Sequence, residues 1–153
     1  MKQRINHLRT APEAINLILQ LEEYKKTTGF DKKLIELIKI RASQINGCAY
    51  CLDMHTKDAR AIGETEQRIY CLNAWRESPF YSEEERAALE LTEAVTTISV
   101  SGVPDDLYER VRHHFDEKQY VDLVFLIITI NGWNRLSISV NNIPGSYQPA
   151  VEK

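Results

Sequence analysis

The sequence has few cysteines, no basic cluster and no long apolar run, and each of these absences excludes a class of protein. Its 153 residues include 3 cysteines, an odd number that argues against the disulfide framework of a small secreted domain. The formal net charge is −3, and no run of lysine and arginine is available to bind nucleic acid or an anionic membrane. The longest apolar stretch, residues 121–130, is broken by Asp122 and falls short of the roughly 18 residues that a membrane span needs.

The N-terminal residues also lack the apolar core of a signal peptide. We therefore expect a cytoplasmic protein in a reducing compartment, where a cysteine pair is more often catalytic or metal-binding than structural. The sequence contains neither an internal repeat nor a recognisable linker, and its length suffices for one hydrophobic core. We predict a single domain over residues 1–153.

The hydrophobic pattern is helical along most of the chain. Apolar residues at 34, 35, 37, 38 and 40, with charged residues between them, fit a helix with a broad buried face. Three capping-box signatures mark helix starts: Thr10 with Glu13, Ser82 with Glu85, and Asp116 with Gln119. These signals predict an all-α bundle of about six or seven helices, over residues 12–28, 31–46, 48–62, 65–77, 83–98, 104–114 and 117–139.

The stretch from Glu36 to His55 concentrates the side chains that can carry chemistry. Gly47 ends the first helix of this stretch, because glycine adopts the left-handed conformation at little cost. Cys48, Cys51 and His55 then stand at i, i+3 and i+7, on one stripe of the next helix. If the two helices pair antiparallel about Gly47, Glu36 comes within roughly one helical turn of His55. The spacing predicts a Cys-x-x-Cys helix-turn-helix core.

Such a set of side chains suits thiol redox chemistry. A thiol attacks as its thiolate, and His55, four residues after Cys51, can take the sulfur proton near the positive end of the helix. Glu36 can orient His55 and stabilise its cationic form. Cys51 would attack a peroxide and become a sulfenic acid, which Cys48, one turn away, would resolve as a disulfide.

Three other interpretations of these residues stay open. The set Cys48, Cys51, His55 and Glu36 could bind zinc, although three ligands on one helix leave little freedom for tetrahedral geometry. A thioredoxin-type site requires a strand before the cysteine pair, whereas the preceding pattern is helical. The two sulfurs could also pack as small apolar groups with no chemical role.

The same residues resemble the alkylhydroperoxidase (AhpD-like) core of the carboxymuconolactone decarboxylase family. That family pattern is a Glu, a Cys-x-x-Cys twelve residues later and a His four residues after the second Cys, here Glu36, Cys48, Cys51 and His55. The flanking residues 45–60 and 74–79 also resemble the small single-domain branch, and the resemblance runs from about residue 30 to residue 100.

The resemblance implies an AhpD-like helical bundle, an obligate homo-oligomer (trimer or hexamer), and reduction of hydrogen peroxide or organic hydroperoxides. It implies that Cys51 is peroxidatic, that Cys48 resolves, and that Glu36 and His55 form a proton relay. An external dithiol of the lipoyl or thioredoxin type would restore the thiols, and no metal or organic cofactor is needed. One position departs from the pattern: founding members carry a His between the cysteines, where this chain has Tyr50, which is no base near neutral pH.

Two other functions remain as alternatives. One is a non-redox activity of the decarboxylase or isomerase kind on a small cyclic acid, with His55 and Glu36 transferring protons. Family members that act as decarboxylases generally lack the cysteine pair, so its presence favours redox chemistry. The other is a non-catalytic thiol sensor whose cysteine pair only switches conformation.

The remaining candidate residues have mainly structural interpretations. We interpret four isolated residues as solvated or packing groups: His7, Cys71, His113 and His114. Met54 is expected in the core. Four residues close the last helix, and we expect them either to line a substrate pocket or to make helix-end hydrogen bonds: Asn131, Trp133, Asn134 and Arg135. Residues 141–149 are predicted to form a loop or an arm over a neighbouring subunit.

Overall fold

The computed structural model describes residues 2–149, and every regular element within that range is helical. Its nine α-helices are α1 (His7–Thr10), α2 (Pro12–Tyr24), α3 (Lys32–Asn46), α4 (Ala49–Ala61), α5 (Glu66–Cys71), α6 (Glu83–Thr96), α7 (Ile98–Ser101), α8 (Asp105–His114) and α9 (Glu117–Val140). Single 3-10 turns follow α2 at Lys25–Thr27 and α5 at Leu72–Ala74. The all-α class is confirmed, whereas the single domain over residues 1–153 stays a prediction because residues 1 and 150–153 lie outside this range.

The count of nine helices exceeds the predicted six or seven. Two of them, α1 and α7, are four residues long, and a sequence window long enough to show helical periodicity does not detect such short turns. Helix α7 lies largely between the helices predicted over residues 83–98 and 104–114. The helices predicted over 12–28 and 65–77 are shorter than expected, because their last residues form 3-10 turns.

Local capping explains where the long helices begin. The side chain of Asp31 accepts hydrogen bonds from two first-turn backbone N–H groups of α3. The capping boxes predicted at Ser82 and at Asp116 are both present. The one predicted at Thr10 is wrong: Ala11 is the N-cap of α2, and the Thr10 hydroxyl instead donates to the carbonyl of Asn6, 2.9 Å away.

Helix α3 lies at the centre of the fold and packs against α4, α6 and α9. On one side it contributes Leu34, Ile35 and Ile38 to a hydrophobic core shared with α6, α8 and α9. On another side Leu37 and Ile40 enter a second core with α4, α5 and α6. Each fully buried Leu or Ile contributes about 1.5–3 kcal/mol. This burial on several sides fixes α3 as the support on which the neighbouring α4 is positioned.

Helix α9 is the one helix of the described range that is long and apolar enough to cross a membrane by length and composition. Half of its most apolar window, 50%, is buried inside the fold. A core helix of a soluble helical domain has these properties, and we interpret α9 in this way.

The two ends of the described chain lie side by side and close over α4. The backbone N–H of Arg4 donates to the carbonyl of Val140 at 2.9 Å, and the Gln3 amide donates to Asn142 at 3.0 Å. Residues 141–149 form the predicted loop, and they pack on α4 of their own chain, where the backbone N–H of Gly145 donates to Asp53 at 2.9 Å. These two segments are called the N-terminal arm (residues 2–10) and the C-terminal tail (residues 141–149) below.

Candidate active site

Glu36 and His55 meet across the hairpin formed by α3 and α4. Gly47 makes the turn between the helices with a φ of 69°, a left-handed conformation that favours glycine. His55 Nδ1 lies 2.8 Å from Glu36 Oε2. Both side chains are buried, with 8% of Glu36 and 4% of His55 exposed. Low solvent access strengthens this contact.

The charge of Glu36 determines which nitrogen of His55 carries the proton. Burial alone would raise the pKa of Glu36, but the hydrogen bond and charge of His55, with the charges of Lys39 and Lys25, together lower it. An ionised carboxylate only accepts hydrogen bonds, so Nδ1 of His55 must be the donor. The neutral ring therefore keeps Nε2 as its basic nitrogen.

Cys48 and Cys51 are joined as a disulfide at the start of α4, with their Cα atoms 5.4 Å apart. Cys48 is the N-cap residue, and its sulfur accepts the backbone N–H of Cys51 at 3.4 Å. Each residue is only 1% exposed. Cys51 precedes His55 by four residues, so the two side chains lie on the same side of α4, one turn apart. The structure thus has the pair in its oxidised state.

A cleft of about 410 Å³ lies over Cys51. The N-terminal arm, α4, α9 and the C-terminal tail all contribute to it, through Gln3, Asn6, His7, Leu8, Tyr50, Cys51, Met54, Trp133, Ser137, Asn142, Ile143 and Ser146. Of the two disulfide sulfurs, only that of Cys51 belongs to a residue of this lining. A small molecule in the cleft therefore reaches Cys51 before Cys48.

A row of alternating charges continues behind Glu36. The ammonium of Lys39, a residue only 1% exposed, lies 3.9 Å from Glu36 and 3.0 Å from Glu22. Glu22 also pairs with Lys25 at 2.6 Å. Burial would raise the pKa of Glu22, but the charges of Lys39 and Lys25 outweigh it and lower that pKa to about 2. Burial lowers the pKa of Lys39 despite the opposing charges of Glu36 and Glu22.

The sequence profile of one protein family, described as "Carboxymuconolactone decarboxylase family", matches residues 12–94, more than half of the chain. The chain belongs to the carboxymuconolactone decarboxylase family. The matched range includes both arms of the hairpin and all four residues that we expected to form the site. The family resemblance inferred from the spacing of Glu36, Cys48, Cys51 and His55 is thereby confirmed.

Relatives with known sequences or structures agree with this family membership. The uncharacterized protein YdfG of Bacillus subtilis is 57% identical over 142 residues, which are 93% of this chain and 97% of that protein. A crystal structure of an Agrobacterium tumefaciens protein of unknown function, for which a role as the antioxidant defence protein AhpD has been suggested, superposes with a TM-score of 0.91. It is 43% identical, and the match covers 95% of this chain and 100% of that one.

The same fold also carries other chemistry. The debrominase Bmp8 matches with a TM-score of 0.81 at 18% identity, over 91% of this chain and 75% of that one. At that identity the similarity shows the fold alone.

The C-terminal tail of this family member reaches the Glu36–His55 pair through Asp58. The Tyr147 hydroxyl donates to Asp58 at 2.6 Å, and the other oxygen of Asp58 lies 4.0 Å from His55 Nδ1. The Lys57 ammonium also donates to the carbonyl of Tyr147 at 3.0 Å. Burial, followed by the bond to Asp58, raises the pKa of Tyr147. The tail is therefore bonded to the same face of α4 that carries His55.

Within residues 2–149, Glu36, His55 and Asp58 form the one group of side chains close enough together to hold a metal ion. Each offers one donor atom, and these atoms lie within 4.8 Å of one another. His55 and Glu36 already bond to each other, and one oxygen of Asp58 accepts the bond from Tyr147. The alternative zinc set would need both sulfurs as thiolates, which the disulfide form does not provide.

The structure separates the four residues predicted at the end of α9. Trp133 lines the cleft over Cys51. Asn131 and Asn134 instead accept hydrogen bonds from the Asn46 amide, each at 2.9 Å, and Arg135 donates to Asn131. The pocket interpretation therefore fits Trp133, and the hydrogen-bonding interpretation fits the other three.

Of the five remaining candidate residues, two line the cleft and three do not. Met54, expected in the core, lines the cleft, and so does half-buried His7. Cys71 has intermediate exposure, and its sulfur lies 3.3 Å from the Gln67 amide. His113 and His114 are exposed and contact each other edge to face.

Sequence reasoning also missed four charged or polar residues around the site: Glu22, Lys39, Asp58 and Tyr147. A lysine inside an apolar helical run, three residues after Glu36, was the one available signal.

Proposed function

We propose that this protein is a thiol-dependent peroxidase of the alkylhydroperoxidase type, which reduces hydrogen peroxide or organic hydroperoxides through Cys48 and Cys51. One arrangement carries the proposal. The ionised carboxylate of Glu36 holds His55 one helical turn from the cysteine pair. Cys51, the second cysteine of that pair, lines a cleft. A base, a nucleophile and a resolving thiol are the parts that peroxide reduction by thiols requires.

In the first step Cys51 attacks the peroxide. Nε2 of His55 takes the thiol proton, and Glu36 stabilises the resulting imidazolium through Nδ1. The Cys51 thiolate forms a bond to the terminal oxygen of the substrate, and the O–O bond breaks. Cys51 becomes a sulfenic acid, and the departing alkoxide or hydroxide takes up a proton.

In the second step Cys48 resolves the sulfenic acid. Its sulfur attacks Sγ of Cys51, the S–O bond breaks, and the oxygen leaves as water with the thiol proton. The product is the disulfide seen in the structure. Because Cys48 is the N-cap of α4, little backbone movement is needed to bring the two sulfurs together.

An external dithiol then returns the protein to its reduced state. One thiolate of a lipoyl-type or thioredoxin-type donor attacks Cys51 from the cleft and expels Cys48 as a thiolate. The backbone N–H of Cys51 and the positive end of α4 stabilise that leaving thiolate. The donor's second thiol closes its own disulfide and releases Cys51, so two electrons pass from donor to protein.

The lining of the cleft supports an organic hydroperoxide as substrate. Leu8, Met54, Trp133 and Ile143 provide apolar and aromatic surface around Cys51. A volume of about 410 Å³ exceeds what hydrogen peroxide alone requires and fits a small organic group.

We also expect a cytoplasmic homo-oligomer, as the family resemblance implies. Residues of α9 support this expectation, because Val121 (49%), Phe125 (44%) and Ile128 (47%) expose apolar side chains along one helix. A contiguous exposed apolar surface on a small domain is typical of a protein interface. A second copy of the chain, as trimer or hexamer, is the expected occupant.

A peroxide-consumption assay with several dithiol donors tests the proposed function. Cys51→Ser should abolish turnover, while Cys48→Ser should leave a sulfenic acid at Cys51 that dimedone traps. Cys71→Ser is the matched control and should retain wild-type turnover. Full activity of the Cys51→Ser variant would show that these roles are wrong.

A second candidate function follows from the Glu36–His55 contact, which does not depend on either sulfur. The pair alone could transfer protons on a small cyclic acid, as a decarboxylase or isomerase does. That activity would survive replacement of both Cys48 and Cys51 by serine.

A non-catalytic thiol sensor would behave differently in the same assay. Peroxide would oxidise the protein stoichiometrically, without turnover under any reductant.

A further inference from the structure

A cluster of side-chain amides joins the end of α3 to α9. Asn46, the last residue of α3, donates through Nδ2 to Oδ1 of both Asn131 and Asn134, each at 2.9 Å. Asn134 in turn donates to the hydroxyl of Ser43 at 3.0 Å, and these two residues are both 0% exposed. Buried amides are costly unless they are bonded, and a fully bonded network fixes one arrangement of its members. Asn46, Asn131 and Asn134 are called the amide cluster below.

The amide cluster holds the turn that precedes Cys48. The backbone N–H of Cys48 donates to the carbonyl of Ser43 at 3.0 Å, and Ser43 is bonded to the cluster through its hydroxyl. Gly47, between Asn46 and Cys48, is exposed. Glycine restricts the backbone less than any other residue, so it permits the turn but does not rigidify it. The contacts of Asn46 and Ser43 with α9 therefore supply the rigidity that Gly47 lacks.

The two cysteines depend on this turn to different extents. Cys51 lies in the first turn of α4, and the helix itself fixes its direction. Cys48 is the N-cap, with an extended backbone (φ −85°, ψ 93°), so its direction depends on the turn before it. A disulfide requires Cα atoms about 4.4–6.8 Å apart, and the pair is 5.4 Å apart. A loosened turn would therefore displace Cys48 and leave Cys51 in place.

We propose that the amide cluster, through Asn46, positions Cys48 as the resolving thiol. This inference rests on the proposed peroxidase function. In the resolving step Sγ of Cys48 bonds to Sγ of the Cys51 sulfenic acid, the S–O bond breaks, and the oxygen leaves as water with the thiol proton. A turn that is held in place raises the effective concentration of the Cys48 thiol at Cys51. Asn46 is thus a positioning residue that acts through Cys48.

The equilibrium between dithiol and disulfide measures this positioning without any peroxide. Protein carrying Cys71→Ser is equilibrated with reduced and oxidised dithiothreitol, alkylated and analysed by mass spectrometry. Asn46→Ala should lower the equilibrium constant for disulfide formation by about tenfold, because the two thiols lose effective concentration. Thr96→Val is the matched control. It removes the 3.0 Å bond from Asn131 at the far end of the cluster, where Asn131 keeps its bond to the carbonyl of Ile127, and should leave the constant unchanged.

A second measurement separates the two steps of peroxide reduction. Reduced protein receives one equivalent of hydrogen peroxide in the presence of dimedone. In Asn46→Ala the rate of Cys51 oxidation should change by less than about threefold, while the fraction trapped by dimedone should rise by about tenfold. Asn46→Asp keeps the size of the side chain, but its carboxylate cannot donate, so it should behave as Asn46→Ala does. Urea unfolding of each variant verifies that it folds.

A merely structural role for the cluster predicts a different result. Asn46→Ala and Thr96→Val would then lose stability, while the disulfide equilibrium and the trapped fraction stayed at their wild-type values. That result, or an equal shift of the equilibrium in Asn46→Ala and Thr96→Val, would overturn the proposal. Failure of the peroxidase function would appear separately, as a wild-type protein that peroxide does not oxidise, and the dithiothreitol equilibrium would still decide whether Asn46 positions Cys48.

Discussion

Nδ1 of His55 and Oε2 of Glu36 lie 2.8 Å apart although 19 residues separate the two positions in the chain. The contact joins the facing arms of the α3–α4 hairpin. It fixes the tautomer of His55 and directs the basic nitrogen away from Glu36, as an orienting carboxylate does in other sites that activate a nucleophile. Predictions about activity therefore begin with this pair.

Replacing Glu36 with glutamine should lower the rate of Cys51 oxidation by roughly 10²–10⁴-fold. A neutral amide can donate to Nδ1, which would place the proton of His55 on Nε2 and remove the base. Single-turnover oxidation by hydrogen peroxide measures the effect. Glu23→Gln, an exposed change on α2, is the control, and a Glu36→Gln variant as fast as this control would contradict the assigned role.

Replacing Lys39 with methionine should destabilise the protein by about 1–3 kcal/mol. Glu22 would keep only Lys25 as a partner and Glu36 only His55, and a carboxylate that loses one of its buried partners is costly in a dry environment. Urea unfolding at neutral pH measures this change. The exposed control Lys26→Met should cost less than about 1 kcal/mol, and adding Glu22→Gln to Lys39→Met should recover part of the loss.

Acid should destabilise the wild type partly through Glu22. The folded-state pKa of Glu22 is about 2, below its ordinary value of 4.5. Its contribution to the free energy of unfolding is therefore complete above about pH 4.5 and disappears as the pH falls toward 2. A difference of this size corresponds to at most about 3 kcal/mol. Urea unfolding between pH 6 and pH 2.5 should show that the free energy of unfolding falls less steeply with pH in Glu22→Gln than in wild type. Parallel pH dependences for the two proteins would refute this assignment.

Removing the Tyr147 hydroxyl should loosen the C-terminal tail. The change Tyr147→Phe deletes the bond to Asp58, worth about 1 kcal/mol, which corresponds to roughly fivefold faster opening. Hydrogen exchange at residues 143–147 reports the effect. Tyr70→Phe, on the exposed surface of α5, should leave that exchange unchanged, and an unaltered tail in Tyr147→Phe would show that other contacts hold it.

A charge on the exposed face of α9 should reduce the size of the oligomer. Ile128 is 47% exposed and lines an apolar groove with Val95, Val124 and Gly132. Ile128→Asp would place a carboxylate in the proposed interface between copies, where its desolvation would be costly. Sedimentation velocity should show smaller species than for wild type or for Tyr70→Asp. A wild type that already sediments as a monomer would disprove the expected assembly.

Much of the site could be predicted because it depends on local geometry. Cys48, Cys51 and His55 belong to one helix, so their spacing alone places them on one side of it. Gly47 identified the turn that brings Glu36 back toward this helix. The capping boxes at Ser82 and Asp116 were equally local, since each needs only residues within one turn.

Other features depend on contacts between distant segments. Lys39 is balanced by Glu22 on a different helix, and no pattern within α3 reveals that partner. The Thr10 signature gave the wrong helix start because the hydroxyl bonds backward to Asn6. His7 looked like a solvated terminal residue until the folded chain placed the N-terminal arm beside α9.

The sequence by itself determined that the chain is helical, where its cysteine pair lies, and which histidine accompanies that pair, because hydrogen bonding and side-chain direction in a helix repeat over three or four residues. Only the tertiary structure decided which residues surround the sulfur of Cys51 and which charged residues are buried behind Glu36. Those properties arise from helix packing and from the N-terminal arm and the C-terminal tail, which both border the cleft beside α4. Long-range packing is a sum over the whole chain, and no short segment encodes it.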